Sequence, residues 1–381
     1  MNETYEKKIE NIREEIIAVL GLFDHPPKIH ISFSGGKDSI VMWDLFKKSY
    51  NEWGGDWHNV VMTFFDEEAM FDGVIKCVEN TREELISYGG TFNWFCMPFR
   101  HYSAIDSLKV DDVYLLWKES ERENWVRPMP EFAIKNYKGF VLGMNYQEFS
   151  NNVYLKDLGC DLQLQGMRIF ESIQRRQDIG SIKNRYKITG NGRYTPIRYL
   201  TEKDIWRYID ENKLDFPMEY LFLYQTKGQA GRRHNGQLRI SQLFSSDTIE
   251  TLTYLREFDP DLWKRIEKRQ PNAYLASLYF GNTFSKDTEY DPNECYFDLI
   301  LPHVKNRKSG KKVYIYMARI KQLGIENDER INKWCHKYYK NVVVKGDPKG
   351  RSARSLRMTL YNLVDKVGAE YKKKGAGTNG K

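Results

Sequence analysis

The chain has 381 residues, of which 41% are hydrophobic and 29% are charged, and its formal net charge is +7. This composition is typical of a folded protein rather than a disordered one, and the length allows two domains. The sequence has no run of about 18 apolar residues, its N-terminus is charged, and its five cysteines form no CxxC pair. These features argue against a membrane span, a signal peptide, a disulfide framework and a zinc or iron–sulfur site, so we expect a cytoplasmic protein.

The predicted elements alternate between strands and helices. Apolar residues recur at helical spacing over residues 3–23, which predicts an amphipathic leading helix that Pro26 and Pro27 end. The predicted strands cover 28–33, 60–65, about 91–97 and 162–166, with helices to about 50 and at about 72–88. This alternation is typical of an α/β fold with a doubly wound, mainly parallel sheet, whose ligands bind at the carboxyl ends of the strands.

A glycine-rich loop, SGGKDS at 34–39, joins the first predicted strand to the helix after it. It offers two glycines, two hydroxyls and one ammonium: Gly35, Gly36, Ser34, Ser39 and Lys37. Glycines let the backbone approach an anion closely, and the helix N-terminus adds unpaired N–H groups, so the loop is suited to phosphate. Asp38 is the residue expected to meet Mg²⁺ or to cap the loop's own amides. The spacing matches neither a Walker A loop nor the GxGxxG fingerprint.

Acidic residues follow the second predicted strand, where Asp66 and Glu67 could hold ribose hydroxyls or a metal ion. An exposed strand-end turn explains them equally well. Residues 100–160 are rich in aromatic residues and predict a lid or insertion over the site. Within it, Trp125 and Arg127 could stack a base and grip a phosphate; the alternative is a packed lid tryptophan beside a surface arginine.

A further polar segment follows the predicted strand at 162–166. Besides Gly166 it contains Arg168, Glu171, Ser172, Arg175 and Arg176. The three arginines provide the bidentate donors that suit phosphate or sulfate. At helical spacing, Arg168 and Ser172 would share one helix face with a later arginine, although a solvated basic face is the alternative. Downstream, residues 195–209 predict a loop and a helix with Thr201 as its N-cap.

Three of these elements together resemble a known family. The loop at 34–39 is similar to the signature of the PP-loop superfamily, which contains the ATP pyrophosphatases and the phosphoadenylyl-sulfate (PAPS) reductases. The G-x-R-x-x-E-S-x-x-R pattern at 166–175 and the proline-led pattern at 196–208 resemble two further elements of that family, although Leu200 stands where the family has tryptophan. The resemblance implies an adenine nucleotide alpha hydrolase-like fold that binds ATP, or a related adenine nucleotide, together with Mg²⁺.

A narrower resemblance is to a bacterial and phage branch of this family called DUF3440, which includes co-activators of prophage gene expression. It rests on the segment WVRPMPE at 125–131 and on a glycine-led segment at 231–240. The PAPS reductases themselves need a cysteine in an ECGxH segment. Neither Cys295 nor Cys335 has that context, so thiol-dependent reduction is disfavoured.

The resemblance then implies cleavage of ATP between the α- and β-phosphates, with pyrophosphate release and adenylation of an acceptor. The predicted catalytic residues are Lys37, Asp38 and Arg168, and we expect no metal ligand set from the protein alone. The acceptor could be nucleic acid, sulfate or a protein. The alternatives are a nucleotide-binding regulator of gene expression or phage defence and, third, a PAPS reductase.

The positive charge is concentrated near the C-terminus. Residues 301–381 contain 21 Lys and Arg against 6 Asp and Glu, whereas residues 1–300 carry a net charge of −8. This asymmetry predicts an anionic partner, nucleic acid first, although a solvated surface explains it equally well. Tyr338 and Tyr339 could stack on bases, but we favour an amphipathic helix there. The predicted domains are a leading helix (1–24), a nucleotide-binding domain (25–240), a mostly helical C-terminal region (241–371) that is basic after 300, and a disordered tail (372–381).

Overall fold

The computed structural model describes residues 4–103, 105, 113–227, 240, 242–244, 251–279, 290–306, 311–344 and 351–376. The chain divides into two compact units, one of residues 1–101 and 114–271, the other of residues 102–113 and 272–381. Residues 231–239 of the glycine-led segment and residues 377–381 of the predicted tail lie outside the described residues. Within the described part, no helix is both long enough and apolar enough to cross a membrane.

The first unit is built on a parallel five-stranded sheet. Its strands are β1 (Ile29–Ser32), β2 (Val60–Phe65), β3 (Thr91–Phe95), β6 (Leu162–Gln165) and β7 (Arg193–Tyr194), while β4 (Arg100–Tyr102) and β5 (Val113–Leu115) form a separate pair. The order in the sheet is β3-β2-β1-β6-β7, and every pair of neighbours is parallel. The predicted α/β fold with a mainly parallel sheet is therefore confirmed.

Helices occur before, between and after these strands. They are α1 (Tyr5–Leu20), α2 (Lys37–Trp53), α3 (Asp72–Ser87), α4 (Tyr146–Phe149), α5 (Leu155–Leu158), α6 (Ile173–Gly180), α7 (Glu202–Glu211), α8 (Glu219–Lys227), α9 (Leu252–Phe258) and α10 (Pro260–Arg269). The leading helix ends at Leu20, earlier than the prolines predict, with Gly21 as its C-cap residue. The predicted start of α7 is confirmed, since Thr201 and Asp204 form a capping box there.

Strand alternation decides what covers each face of the sheet. Ile29 and Ile31 of β1 are fully buried, and the intervening His30 lies on the opposite face. There its ring packs edge-on against Tyr154, with 5.9 Å between ring centroids. The Tyr154 hydroxyl also lies 2.8 Å from Thr63 Oγ1 of β2 and accepts a hydrogen bond from Asn93 Nδ2 of β3 (2.8 Å). The π-helical turn at 150–154 therefore packs across three neighbouring strands.

From residue 272 onward, the described residues of the second unit form helices and no strand. Its helices are α11 (Ala273–Tyr279), α12 (Tyr296–Asn306), α13 (Lys311–Leu323), α14 (Glu329–Tyr338) and α15 (Arg351–Ala376). One apolar core unites α12 to α15 around residues such as Ile300, Met317 and Leu360. Tyr338 is fully buried in that core and Tyr339 packs partly against it, which confirms the amphipathic interpretation of this tyrosine pair.

Candidate functional site

The loop at 34–39 lies at the carboxyl end of β1 and leads directly into α2. Gly35 has a φ of +71°, and a Cβ there would lie 2.8 Å from methyl groups of both Val74 and Val78, so only glycine fits. Gly36 is the N-cap residue of α2 and has no side chain with which to cap it. The hydroxyl of Ser39 donates to Gly36 O (2.8 Å), which fixes the turn from the helix side. The loop thus has the tight turn and the helix N-terminus that the sequence predicts.

Four charged side chains meet at the start of α2, and we call them the loop cluster: Lys37, Asp38, Arg168 and Glu202. Arg168 donates from Nε to Asp38 Oδ1 (2.5 Å) and from Nη2 to Glu202 Oε2 (2.6 Å). Lys37 Nζ lies 3.1 Å from Asp38 Oδ2 and 3.5 Å from Glu202 Oε1. The side chains of the two cations are at most 4% exposed, whereas those of the two carboxylates are 15% and 28% exposed. The cluster is neutral overall, and its anionic half is the accessible half.

The end of β6 brings Arg168 to this cluster. Gly166 passes so close to α2 that a Cβ there would lie 3.1 Å from both Asp38 O and Ser39 N. Since neither backbone atom is the end of a flexible side chain, a larger residue would displace the loop. The Arg168 N–H donates to Glu171 Oε2 (3.1 Å), which stabilises the turn after the strand.

Contrary to the prediction, Arg168 does not lie on a helix face with Ser172. Helix α6 begins only at Ile173, with Ser172 as its N-cap, so Arg168 belongs to the preceding loop and is fully buried. Arg175 pairs with Glu171 and its side chain is 38% exposed, while Arg176 is exposed. Ser172 caps because its hydroxyl accepts the third N–H of the helix, a role that helical spacing alone does not reveal.

Glu67 and Arg175 both act electrostatically on Tyr146. Burial is the main reason that the pKa of the Tyr146 hydroxyl is raised; the Glu67 carboxylate adds to the rise and Arg175 opposes it. Glu67 Oε1 also lies 3.6 Å from His101 Nε2. Both residues are therefore partly accessible charged neighbours of one partly exposed tyrosine.

A second set of four charges, which we call the strand-end cluster, follows β2: Asp66, Glu68, Arg127 and Arg269. Asp66 Oδ2 is bonded to the Arg127 guanidinium, and its Oδ1 accepts the Glu68 N–H (2.9 Å). Glu68 accepts from Arg269 Nε (2.6 Å) and from the Trp117 N–H (2.8 Å). Both carboxylates are 0% exposed. An exposed strand-end turn is therefore wrong for Asp66, whose two oxygens are engaged within the protein.

The tryptophan and arginine of the predicted lid occupy different environments. The Arg127 side chain is 7% exposed, and its guanidinium lies 5.1 Å from the centroid of the Trp117 ring. Trp125 is partly exposed, and its Nε1 donates to Lys118 O (3.0 Å). Arg127 is thus a buried partner of Asp66, and a direct role of Trp125 or Arg127 toward a ligand stays a prediction.

Sequence reasoning missed two residues that contact the loop. Glu202 is the first residue of α7, directly after the predicted N-cap Thr201, so its position in the proline-led element was the available signal. Tyr220 comes from α8, outside every motif. Its hydroxyl accepts the Lys37 N–H (3.2 Å), and the Lys37 ammonium lies 5.3 Å from the centroid of its ring.

The five cysteines are free thiols, and Cys96 Sγ lies 3.5 Å from Asp66 Oδ2 of the strand-end cluster. Burial raises the pKa of the Cys77 thiol to about 12 and raises the pKa of Cys96, Cys160 and Cys335 as well. A thiol with a raised pKa is a poor nucleophile at neutral pH. Among the described residues, no group of three or more His, Cys, Asp and Glu side chains could hold a metal ion.

The segment that contains the sheet and its loops matches a known protein family. Residues 28–227, just over half of the chain, match the family described as the phosphoadenosine phosphosulfate reductase domain. The uncharacterized protein YbdN of Escherichia coli (strain K12) is 25% identical over 294 residues, which cover 72% of this chain and 68% of that protein.

Solved structures with similar arrangements have low sequence identity. FMN adenylyltransferase of Candida glabrata is 13% identical with a TM-score of 0.35; the match covers 57% of this chain and 58% of that one, so less than two thirds of that enzyme is spanned. The U34-tRNA thiolase of Methanococcus maripaludis is 13% identical (72% and 80% covered, TM-score 0.33). A PAPS reductase from Candida auris, in a phosphate complex, is 15% identical (64% and 98% covered, TM-score 0.32). A shared activity does not follow from scores this low.

Proposed function

Since the chain belongs to the phosphoadenosine phosphosulfate reductase domain family, we propose that it binds an adenine nucleotide with its phosphates on the loop at 34–39. The proposed reaction is cleavage of ATP between the α- and β-phosphates, with transfer of the adenylyl group to an acceptor. The segment WVRPMPE at 125–131 supports placing the chain in the bacterial and phage branch of the family.

The observation that carries this proposal is the loop cluster. Two nearly buried cations, Lys37 and Arg168, lie beside a helix N-terminus and a glycine turn, and both are paired with carboxylates. Charge-assisted hydrogen bonds from such groups are the strong contacts that proteins use for phosphate. A phosphate that reaches the cluster would take the places of Asp38 and Glu202 as partner of these cations.

The chemistry needs positioning and charge stabilisation more than a protein nucleophile. An acceptor oxygen attacks the α-phosphorus, a new P–O bond forms, the bond to the bridging oxygen breaks, and pyrophosphate leaves with the electron pair while the acceptor's proton passes to water. Lys37 and Arg168 would hold the leaving phosphates and stabilise the negative charge that develops on them. The raised thiol pKa values support this reaction over thiol-dependent reduction.

The donor chemistry at the loop also fits Mg²⁺. Asp38 and Glu202 provide partly accessible carboxylate oxygens, and Mg²⁺ in nucleotide sites takes one or two carboxylates together with phosphate oxygens and waters. Bound with the nucleotide, Mg²⁺ would neutralise part of the phosphate charge.

Equilibrium binding of ATP to three variants tests the site. We expect Lys37→Met and Arg168→Met each to weaken ATP binding by about tenfold or more, because each removes a charge-assisted contact. The control is Lys203→Met, which removes an exposed lysine one residue from Glu202 and should leave the affinity unchanged. Thermal unfolding of each variant shows that the fold is retained. Full affinity in a folded Lys37→Met protein would contradict the site.

A separate assay tests the reaction. ATP labelled at the α-phosphate is incubated with the protein and Mg²⁺, alone and with DNA, tRNA or sulfate. We expect labelled AMP or a labelled acceptor, with pyrophosphate released in equal amount. Tight ATP binding with no cleavage under any acceptor would refute adenylation and favour the regulator, which needs binding only.

A further inference from the structure

The first turn of α8 lies directly on the start of α2. The Tyr220 hydroxyl accepts the Lys37 N–H (3.2 Å), the first helical amide of α2, and a Cβ built on Gly36 would lie 3.2 Å from the same oxygen. Helix N-termini leave their first N–H groups for an external acceptor, and at this one the acceptor is a tyrosine oxygen. The hydroxyl thus has the position and the hydrogen bond that a phosphate oxygen would have on this amide.

Tyr220 also covers the ammonium of the loop. Lys37 and Tyr220 are each 3% exposed, and the Lys37 ammonium lies against the tyrosine ring. Behind Tyr220, the Trp206 ring packs edge-on at 5.3 Å between centroids, and Trp206 Nε1 donates to Glu202 Oε1 (3.2 Å). A phosphate cannot reach Lys37 by this side while the ring is in place.

The neighbouring residue of the same turn acts on a second helix N-terminus. Glu219 Oε1 accepts the Gly73 N–H of α3 (2.9 Å), so that a carboxylate caps this helix start. Among the described residues, its other oxygen is buried and has no hydrogen-bond partner. Burial also raises the pKa of Glu219, since desolvation disfavours its charged form. The buried carboxylate of Glu219 therefore makes an unfavourable electrostatic contribution to the position that α8 has in this structure.

The rest of the segment is unevenly covered. Met218, Leu221 and Tyr224 are 64%, 45% and 63% exposed, whereas Pro217 and Leu223 are buried and the Phe222 ring stacks on the Phe258 ring. Exposed side chains add few buried contacts, which is a feature of segments that open locally. The segment 217–225 therefore combines a specific contact to the loop with an outer face that is open to water.

We propose that the first turn of α8 is an autoinhibitory plug, in which Tyr220 occupies the place of a phosphate oxygen at the start of α2 and is displaced when the nucleotide binds. The inference rests on the proposed nucleotide site and adds its regulation. The closed and open positions of α8 are two states, and phosphate binds only the open one. Anything that weakens the closed state raises the apparent affinity for phosphate, because a larger fraction of the protein is competent.

The variant Tyr220→Phe tests the plug with the least change. It keeps the ring but removes the Tyr220 oxygen that accepts the Lys37 N–H, and the loss of this hydrogen bond disfavours the closed state. A neutral hydrogen bond is worth about 1 kcal/mol, so we expect binding of inorganic pyrophosphate and of ATP to strengthen about fivefold. The matched control is Tyr224→Phe, which removes an exposed hydroxyl from the same helix and should not change either affinity.

Hydrogen exchange of the wild-type protein provides a second measurement that needs no variant. Saturating ATP should speed the exchange of amides in 217–225, because the plug leaves its site, while amides at the start of α2 exchange more slowly. Slower exchange in 217–225 would show that α8 closes over the ligand. Weaker binding in Tyr220→Phe would show that the hydroxyl helps the ligand, and unchanged binding would show that it does not compete with the ligand. Each of these results overturns the plug.

These outcomes separate the plug from the nucleotide site itself. If the wild type binds pyrophosphate or ATP, and Tyr220→Phe binds it no more tightly, the plug is wrong and the site stands. If the wild type binds neither but Tyr220→Phe does, the plug is supported in its strongest form. If neither protein binds either ligand at millimolar concentration, the proposed function fails and the plug with it.

Discussion

The loop cluster and the strand-end cluster contain the same charges in different surroundings. Each combines two cations with two carboxylates, each is neutral, and each follows a strand of the same parallel sheet. The carboxylate side chains of the loop cluster are 15% and 28% exposed, whereas those of the strand-end cluster are 0% exposed. Burial of the anions is the property that differs.

We propose that this difference separates a ligand site from a structural element. A partly exposed carboxylate can give up a cation to an incoming phosphate, because water solvates the carboxylate that is released. A fully buried carboxylate cannot, since breaking its pair leaves an uncompensated charge in a medium of low dielectric constant. We therefore expect substitutions in the strand-end cluster to act on stability and substitutions in the loop cluster to act on ligand affinity.

The largest effect is expected from Arg269→Met. The substitution leaves Glu68 buried without its cation, so the free energy of unfolding should fall by about 3–5 kcal/mol. Chemical denaturation measures this change. The same helix supplies a matched control, Arg265→Met, whose pair with Asp72 has side chains 32% and 55% exposed and should contribute about 1 kcal/mol or less.

A second variant separates the lost pair from lost packing. Adding Glu68→Gln to Arg269→Met removes the buried charge and should restore most of the lost stability, because an uncharged amide is far less costly to bury. Equal losses in Arg269→Met and Arg265→Met would show that burial does not distinguish these pairs, and the comparison between the clusters would fail.

His30 is a buried titratable group without a charged partner in the described part of the chain, and it extends the comparison between buried and partly exposed charges. His30 is 2% exposed, and neither of its ring nitrogens has a hydrogen-bond partner among the described residues. Desolvation lowers its pKa from 6.5 to about 4. The unfolded chain therefore takes up a proton as the pH falls below 6.5, while the folded protein keeps the ring neutral down to about pH 4. The free energy of unfolding should fall by about 3 kcal/mol across this window and level off below it.

Comparison of the wild type with His30→Met isolates this contribution from other titrating groups. The difference in unfolding free energy between the two proteins should change steadily between pH 6.5 and pH 4 and be constant above pH 7. The control His25→Met, at an exposed histidine, should leave the pH dependence unchanged. A His30→Met protein with the wild-type slope would mean that His30 is protonated in the folded state.

The sequence predicted the elements whose signal is local. Strand β2 and the start of α7 lie where pattern and capping residues place them, because apolar alternation and an N-cap act within a few residues. The glycines of the loop were also predictable, since a positive φ at Gly35 leaves little choice of residue.

Contacts between distant segments were not predictable in this way. Asp66 was assigned to a ligand because it follows a strand, and only the fold shows that Arg127, 61 positions away, takes its carboxylate. Tyr220 reaches Lys37 across 183 positions with no motif to mark it. Burial and pairing of charges depend on where the chain returns to the sheet, which residue spacing does not encode.

The smallest loss of stability is expected from Glu202→Gln, which should at the same time strengthen the binding of pyrophosphate. This carboxylate is 28% exposed, so its loss should lower the free energy of unfolding by about 1 kcal/mol or less. It also pairs with Arg168 and Lys37 and so competes with a phosphate for both cations. Its neutralisation should therefore strengthen binding of inorganic pyrophosphate in EDTA about fivefold, an effect of about 1 kcal/mol. The control Glu211→Gln removes an exposed carboxylate from the same helix and should do neither. A large loss of stability without tighter binding would place Glu202 with the buried, structural carboxylates. The carboxylates of the loop cluster would then release their cations to a phosphate no more readily than those of the strand-end cluster.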